Sequence, residues 1–485
     1  MTGRRAAATV CAVIAVLAGC GSPPPEPPEM PSPQDLAAKV TIDAMRIHLQ
    51  RFSEIAQDHD GNRADGTAGY EASVDYVVEL LRDKGFEVDT PELQRLDTVS
   101  PGRPTLIVGA RTFQVDQASL LLPTPAGGTT GRVFAPRVAA GCSARDYPAA
   151  VKGGIAVVDD TKCSVVDKHD AAADRGAAAL VVISAGGRNG SPPGLFPRGY
   201  YEQMAIPVAV AGEEAGAALR RTSTPARVVL DAKNVKVRSR NVVAQTKTGA
   251  TTDIVLVGAH LDSVAAGPGI NDNASGVAAV LETALQLGSQ PSVTNAVRFA
   301  FWGAEEKNLA GSADYVYGLS RDELNSLALY LNFDMLGSPN AGYFTYDGDQ
   351  SARADAEGVP IGSEGIERTL ASYLNLAGKR PADLPLSQRT DYQSFLAAGM
   401  PVGGMTTGAD GRKTTVQARL WGGEAGVAFD PNYHTARDDL EAINEDALAV
   451  MGSGVAFAVA TYATSIEGVN GVPERAKRHR RALGP

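Results

Sequence analysis

Two histidines and five carboxylates in the second half of the chain, His260, Asp262, Asp272, Glu305, Glu306, Asp334 and His434, lie mostly where apolar runs give way to turns. The run Ile254 to Ala259 is apolar and β-branched, reads as a buried parallel strand, and delivers His260 and Asp262 to its end. Arg298-Phe-Ala-Phe-Trp302 is a second such run and ends in Gly-Ala-Glu305-Glu306; Leu327 to Phe333 is a third and ends in Asp334-Met335. Ligands of open α/β sheets bind at the carboxyl ends of strands. A lone His or acid there is ordinarily a surface or hydrogen-bonded residue, but three successive ends of this kind suit a metal. His260 and His434 with Asp272, Glu306 and Asp334 form a donor set for two Zn(II) ions, each with one imidazole and one terminal carboxylate, sharing a bridging carboxylate. Two metals about 3.5 to 4 Å apart bring the pKa of a water toward neutrality, and a free carboxylate, Glu305, then takes its proton. His260 and Asp262 point to the same side of an extended segment, so the Asp262 carboxylate is expected to receive the ring N–H and fix its tautomer.

The elements that hold these groups are those of an α/β protein. After Gly267-Pro-Gly269 a helix follows, capped by Asn273 or Ser275, with Val277, Val280, Leu281, Ala284 and Leu285 on one face and Gly288 as its stop. Asp272 sits at its mouth. From Leu36 to about Leu96 the pattern is helical, interrupted by the turn-rich loop Asp60 to Tyr70 and switching to a strand at Lys84-Gly-Phe-Glu-Val88. Arg389 to Val402 reads as helix, Gly stop and short strand, and Asn444 to Tyr462 as a closing helix on the sheet.

At 485 residues the chain is too long for one ordinary domain. Its 44% hydrophobic and 21% charged residues are those of a globular protein, and a net charge of −10 argues against nucleic acid as a partner. The basic cluster Lys477-Arg-His-Arg-Arg481 reads as a solvated tail, or as a contact with an anionic envelope surface. Residues 1–20 have the plan of an export signal: Arg4 and Arg5, then the apolar stretch Ala6 to Ala18. Leu17-Ala-Gly-Cys20 resembles the bacterial lipobox, which implies lipidation of Cys20 and a membrane anchor; an ordinary secretory signal is the alternative. Seven prolines in Gly21 to Pro33 suggest an extended tether. Cys142 and Cys163 remain, and in an oxidising compartment this pair reads as a disulfide rather than two buried thiols.

Two resemblances follow. Lys152 to Asp159, Cys163, an Ala-rich helix to Gly176 and Ala177 to Ile183 resemble the protease-associated domain, a noncatalytic insert of exported proteases that would wall one side of the site and restrict substrate size. Gly-Ala-His260-Leu-Asp262, Asn-Asp272-Asn273-Ala-Ser-Gly276, Ala-Glu305-Glu306, Asn-Phe-Asp334-Met and Tyr433-His434-Thr resemble the two-zinc exopeptidase family of bacterial secreted aminopeptidases, plasma-type glutamate carboxypeptidases and the transferrin receptor. This second resemblance covers Asn241 to Ile466 and the N-terminal helices. It implies a mostly parallel central sheet with helices on both faces. It also implies that His260 and Asp334 bind one zinc, Glu306 and His434 the other, with Asp272 bridging and Asp262 orienting His260. Glu305 would be the general base, Tyr433 an oxyanion donor, Arg389 a substrate contact or else a plain surface arginine, and Met335 a neighbour of the pocket for the first residue. The bond Asp272–Asn273 is expected to be cis, as is frequent in the family.

The chain departs from the family where cysteines often bracket the Tyr-His, here Asn432 and Arg437, and where an aromatic pocket residue is replaced by Thr406, which argues against a large apolar preference. The expected division is 1–20 signal, 21–35 tether, 36–100 and 236–468 peptidase, 101–235 insert and 469–485 tail. The expected activity is removal of N-terminal residues from peptides with a free amine. A carboxypeptidase or dipeptidase, using Arg389, Arg412 or Lys413 for a terminal carboxylate, and a noncatalytic receptor are the alternatives.

Overall fold

The computed structural model describes residues 32–137, 140–185, 195, 199–352, 358–387 and 389–483. The signal, Cys20 and nearly all of the Pro-rich tether therefore lie outside the described residues. The central sheet has eight strands: β1 (Glu87–Asp89), β2 (Val242–Gln245), β3 (Ala250–His260), β4 (Asn295–Trp302), β5 (Leu327–Phe333), β6 (Phe344–Tyr346), β7 (Ala382–Leu384) and β8 (Val402–Thr406). Their spatial order is β1-β2-β4-β3-β5-β8-β6-β7. The inner strands β4, β3, β5 and β8 run parallel, and antiparallel pairs flank them.

Period-two burial of β3 explains its central place. Val255, Val257 and Ala259 enter the core on one face, Ile254 and Leu256 the core on the other, so an unbroken apolar run is needed. Helices α1 (Ile42–Asp58), α2 (Ala68–Asp83), α3 (Gly276–Leu287) and α6 (Glu445–Thr464) cover the first face. Helices α4 (Ala310–Gly318) and α5 (Tyr392–Ala397) cover the second, around Trp302, Tyr330 and Phe395. The apolar helix α6 is long enough to cross a membrane, but most of it is buried as a core helix here.

Two expectations fail. The N-terminal helical pattern does not extend to Leu96: Glu92–Ser100 is a strand, paired antiparallel with Lys233–Arg240, and its alternating burial at Leu93 and Arg95 marks strand periodicity. This ribbon carries the chain out to a smaller unit and back. That unit has a five-stranded sheet, in which Ile155–Asp159, Ala179–Ile183 and Val208–Ala211 are parallel, and a four-stranded antiparallel sheet. Cys142 and Cys163 are disulfide-bonded there.

The basic tail is solvated only in part: Lys477, His479 and Arg481 are exposed, but two arginines are not. Arg480, 3% exposed, donates to the carbonyls of Gly399, Leu324, Leu327 and Ala328, and buried Arg478 donates to those of Pro473, Thr252 and Asn325 and pairs with Asp253. Buried carbonyls near the amino ends of β3 and β5 need donors, and a guanidinium supplies several at once. Burial and the neighbouring Arg478 lower Arg480 to about 9.

Candidate active site

Three adjacent parallel strands bring the metal-type residues together at one edge of the sheet. β3 ends in His260, the turn after β4 carries Glu305 and Glu306, and β5 is followed at once by Asp334. Asp272 lies in the kinked turn before α3 and is joined to Asn273 by a cis bond, and His434 lies in a loop with φ 58°. His260 Nε2 is 3.2 Å from Asp272 Oδ1 and 3.4 Å from Asp334 Oδ1. His434 Nε2 is 3.2 Å from Asp272 Oδ2 and 3.1 Å from Glu306 Oε2. The two oxygens of Asp272 thus face different imidazoles.

The donor set fits two cations. His260, Asp272 and Asp334 form one group, Asp272, Glu306 and His434 the other, each with ligand atoms within 4.8 Å of one another. Asp334 Oδ1, Glu306 Oε1 and His434 Nε2 are buried without an aligned hydrogen-bond partner. Buried acceptors and an imidazole nitrogen left without aligned partners among the described residues, within two groups that share Asp272, are what cation ligands look like. Electrostatics agree. Burial works against charge on His434, but the carboxylates of Asp272 and Glu306 outweigh it and push the imidazole up to about 10. Burial likewise opposes the raised value of His260, which Glu305, Asp334, Asp262 and Asp272 impose. Burial would raise Asp272, yet the two histidines hold it well below the usual carboxylate range. Cations would replace those protons.

Asp262 does more than expected. His260 Nδ1 lies 3.1 Å from the backbone carbonyl of Asp262 and 3.6 Å from its carboxylate. The carboxylate also accepts Glu305 N at 3.0 Å and Glu306 N at 3.3 Å, so it anchors the turn that carries them. Burial, with Asp391, Asp334 and Glu306 nearby, raises Glu305 well above its ordinary value despite His260. Tyr433 stacks on His434, with ring centroids 3.8 Å apart, and lines the cleft.

The residues that orient the metal-type side chains are ones the sequence reading passed over. Thr390 Oγ1 donates to Asp334 Oδ2 at 2.7 Å and receives Asn332 Nδ2 at 2.9 Å; Tyr330 Oη donates to Asn332 Oδ1, and Trp302 Nε1 to Tyr330 Oη, both at 2.8 Å. Asp438 accepts Asn271 N at 2.7 Å and Asp272 N at 3.0 Å. Arg63, fully buried, donates to the carbonyls of Leu261, Pro268 and Gly269 and so braces the loop between β3 and Asp272. Burial lowers it to about 10. Asp391 is fully buried, and burial pushes it up to about 7 although His260 and a hydrogen bond to Ser312 work the other way. Nearness in sequence could have flagged Thr390, Asp391 and Asp438, but nothing local points to Arg63.

A cleft of 480 Å³ opens over the cluster. Leu309, Met335, Phe344, Tyr346 and Phe429 are among its lining residues, with Thr406. Phe344 and Phe429 meet edge to face at 5.1 Å, so aromatic surface comes from positions far from Thr406 in sequence, Phe344 being its partner across the β6–β8 pair. Arg389 is at the rim, half exposed, and its guanidinium is 3.1 Å from Asp410. Arg412 does not line the cleft, and buried Lys413 spends its ammonium on the carbonyls of Ala341 and Gly422. A third acidic group, Asp347, Asp349 and Glu367, does not line it either.

Residues 241–459 match peptidase family M28, and residues 129–219 match the PA domain. The chain is 49% identical to the "Probable lipoprotein aminopeptidase LpqL" of Mycobacterium tuberculosis over 92% of its own length and 90% of the relative's. It is 38% identical to an "Aminopeptidase" of Pseudomonas aeruginosa over 87% and 81%. Among solved structures it is similar to an aminopeptidase from Aneurinibacillus sp. strain AM-1 (25% identity, TM-score 0.53, 93% of this chain and all of that one). It is also similar to BSAP, a zinc aminopeptidase from Bacillus subtilis (25% identity, TM-score 0.50, 90% and 99%).

Proposed function

This chain belongs to peptidase family M28, carries an inserted PA domain and is a metalloexopeptidase; from that premise we propose that it is a zinc-dependent aminopeptidase of the cell envelope. One observation carries the choice among exopeptidases. With Asp272, Glu306 and Asp334 engaged by cations, Glu305 and Asp410 are the carboxylates left free in the cleft, and Arg389, the one arginine among its described lining residues, already faces Asp410. Such a surface attracts a free ammonium group and offers little to a terminal carboxylate. The names of the relatives point the same way.

His260 and Asp334 would hold one zinc, Glu306 and His434 the other, with Asp272 reaching both. Zinc bound there supplies Lewis acidity toward the scissile carbonyl and toward an attacking water. Glu305 takes the proton of that water and returns it to the leaving amine; a carboxyl whose proton affinity is raised by burial suits both transfers. Asp262 keeps Glu305 in register through the backbone. The Tyr433 hydroxyl donates to the oxygen that gains charge. Met335, Phe344 and Phe429 receive an apolar first side chain, while Arg389 contacts the substrate backbone at the rim.

The proposal assigns residues 36–100 and 236–468 to the peptidase and 101–235 to the insert, which limits substrate size. Leu17-Ala-Gly-Cys20 supports a lipid anchor on Cys20, and the LpqL relative is named a lipoprotein.

The test is hydrolysis of free and N-acetylated amino-acid anilides and dipeptides by the mature chain, with and without chelator, beside Glu305→Gln. Chelator-sensitive cleavage of free-amine substrates alone is expected, with kcat lowered at least about 100-fold in the variant. Equal cleavage of acetylated dipeptides would replace this reading with a carboxypeptidase.

A further inference from the structure

The loop from Gly303 to Gly311 carries both Glu305 and Glu306, and one side chain closes its neck. Asn241, 2% exposed, accepts a hydrogen bond from Gly303 N at 3.0 Å and donates one to Gly311 O at 3.0 Å. Inside the loop, Leu309 N donates to Glu305 O at 2.8 Å and Ala310 N to Ala304 O at 2.9 Å. Ala304, Asn308 and Leu309 hold φ of 55°, 62° and 58°, in the left-handed region that side chains other than glycine disfavour. A loop bent three times in this way does not hold its shape unaided, and the contacts around it are tight. A Cβ on Gly303 would lie 2.3 Å from Tyr70 Oη and 2.6 Å from Ser239 Oγ, and one on Gly311 would lie 2.1 Å from Gly303 O.

Asn241 also has a particular place in the chain. It follows the ribbon strand Lys233–Arg240, by which the inserted unit rejoins the peptidase, and precedes β2. Its own N–H donates to Pro91 O at 3.1 Å, next to the outgoing ribbon strand, and Tyr70 Oη donates to Arg240 O at 2.5 Å. Asp262 holds the same loop from the other side through Glu305 N and Glu306 N.

We propose that Asn241 is a positioning residue for the reaction, setting the distance between the two ends of the loop and thereby where the Glu305 carboxylate meets the attacking water. This rests on the reading of Glu305 as general base. The amide head is suited to the task, since it offers one acceptor and one donor in a plane to partners of opposite kind. An aspartate would turn an acceptor toward the Gly311 carbonyl, and an alanine would leave both partners unmet. Because the clamp stands where the inserted unit rejoins, a shift of the ribbon would move the base.

The experiment compares Asn241→Asp, Asn241→Ala and Glu305→Gln with the parent chain for kcat, KM, zinc content and thermal midpoint. For both Asn241 variants, kcat is expected to fall about 10- to 100-fold, with KM within twofold and zinc content unchanged, because misplacing a reacting group by about 1 Å costs on that order. Unchanged kcat in folded, zinc-loaded Asn241→Asp would overturn the proposal. So would a loss of activity that only tracks lost zinc, or a rise in KM alone. If the alanine variant does not fold, the aspartate variant, which keeps the shape of the head, decides. An inactive Glu305→Gln beside an unimpaired Asn241→Asp would refute this inference alone; an active Glu305→Gln would bring down the base assignment and the inference with it.

Discussion

The carboxylate of Asp438 accepts the N–H groups of Asn271 and Asp272, so it aims the one residue that faces both imidazoles. Replacing it with alanine should weaken zinc binding about 10- to 100-fold, measured by chelator competition, with little effect on kcat once zinc is saturating. Asp438, like Thr390 behind Asp334, is a short polar residue in a loop, and short polar residues in loops are common in any sequence. What singles these two out is the partner across the fold, 166 and 56 positions away. That the metal-type residues would meet was readable because strand-end residues of metal-binding type are scarce in combination. Asp262 was read for its place beside His260, and its hydrogen bonds to Glu305 N and Glu306 N were not foreseen, since period two gives the side of a strand and not every hydrogen-bond partner. The pocket misled in the same way: Thr406 looked like a lost aromatic, and Phe344 and Phe429 supply aromatic surface instead.

Helices and strands followed their sequence signals where one periodicity ruled. β5 spans Leu327–Phe333 as its apolar run indicates, and α6 spans Glu445–Thr464, capped by Asn444. The ribbon strand Glu92–Ser100 was missed because it is a two-stranded, largely exposed element whose stability comes from a partner far along the chain. The helix Ser363–Leu376 gives a test in pH. Its Glu367 is buried and accepts Gly348 N and Asp349 N, and burial, with Asp349 and Asp383 near, pushes it up to about 7. A carboxyl whose folded pKa is raised favours folding fully below its unfolded value, and that contribution is lost as pH rises through about 7. The thermal midpoint of Glu367→Gln relative to the parent chain should therefore rise between about pH 4.5 and 8. A difference that stays flat across that range would contradict the account.

The two ends of the sheet have opposite roles. The carboxyl ends of β3, β4 and β5 gather acids and imidazoles, and the acids keep protons on the imidazoles until cations arrive. Zinc binding should therefore release protons and weaken as pH falls from 8 to 6, which titration calorimetry in two buffers measures. Removing zinc should lower the thermal midpoint, since a ligand at about 100 times its Kd adds roughly 2.7 kcal/mol per site. Near the amino ends, Arg478 and Arg480 supply donors to buried carbonyls. Deleting residues 474–485 should cost about 1–3 kcal/mol for each acceptor left buried and unpaired, seen as a lower melting temperature with unchanged KM. Fold class, the order of strand ends and the metal-type residues were legible in the chain because each is a local matter of periodicity and residue chemistry. The hydrogen bonds of Asp262 to Glu305 N and Glu306 N, the clamp of Asn241, the burial of Arg63 and the docking of the basic tail were not. Each depends on hydrogen bonds between segments far apart in sequence, and no local pattern encodes which distant carbonyl or N–H will need a partner once the sheet has formed.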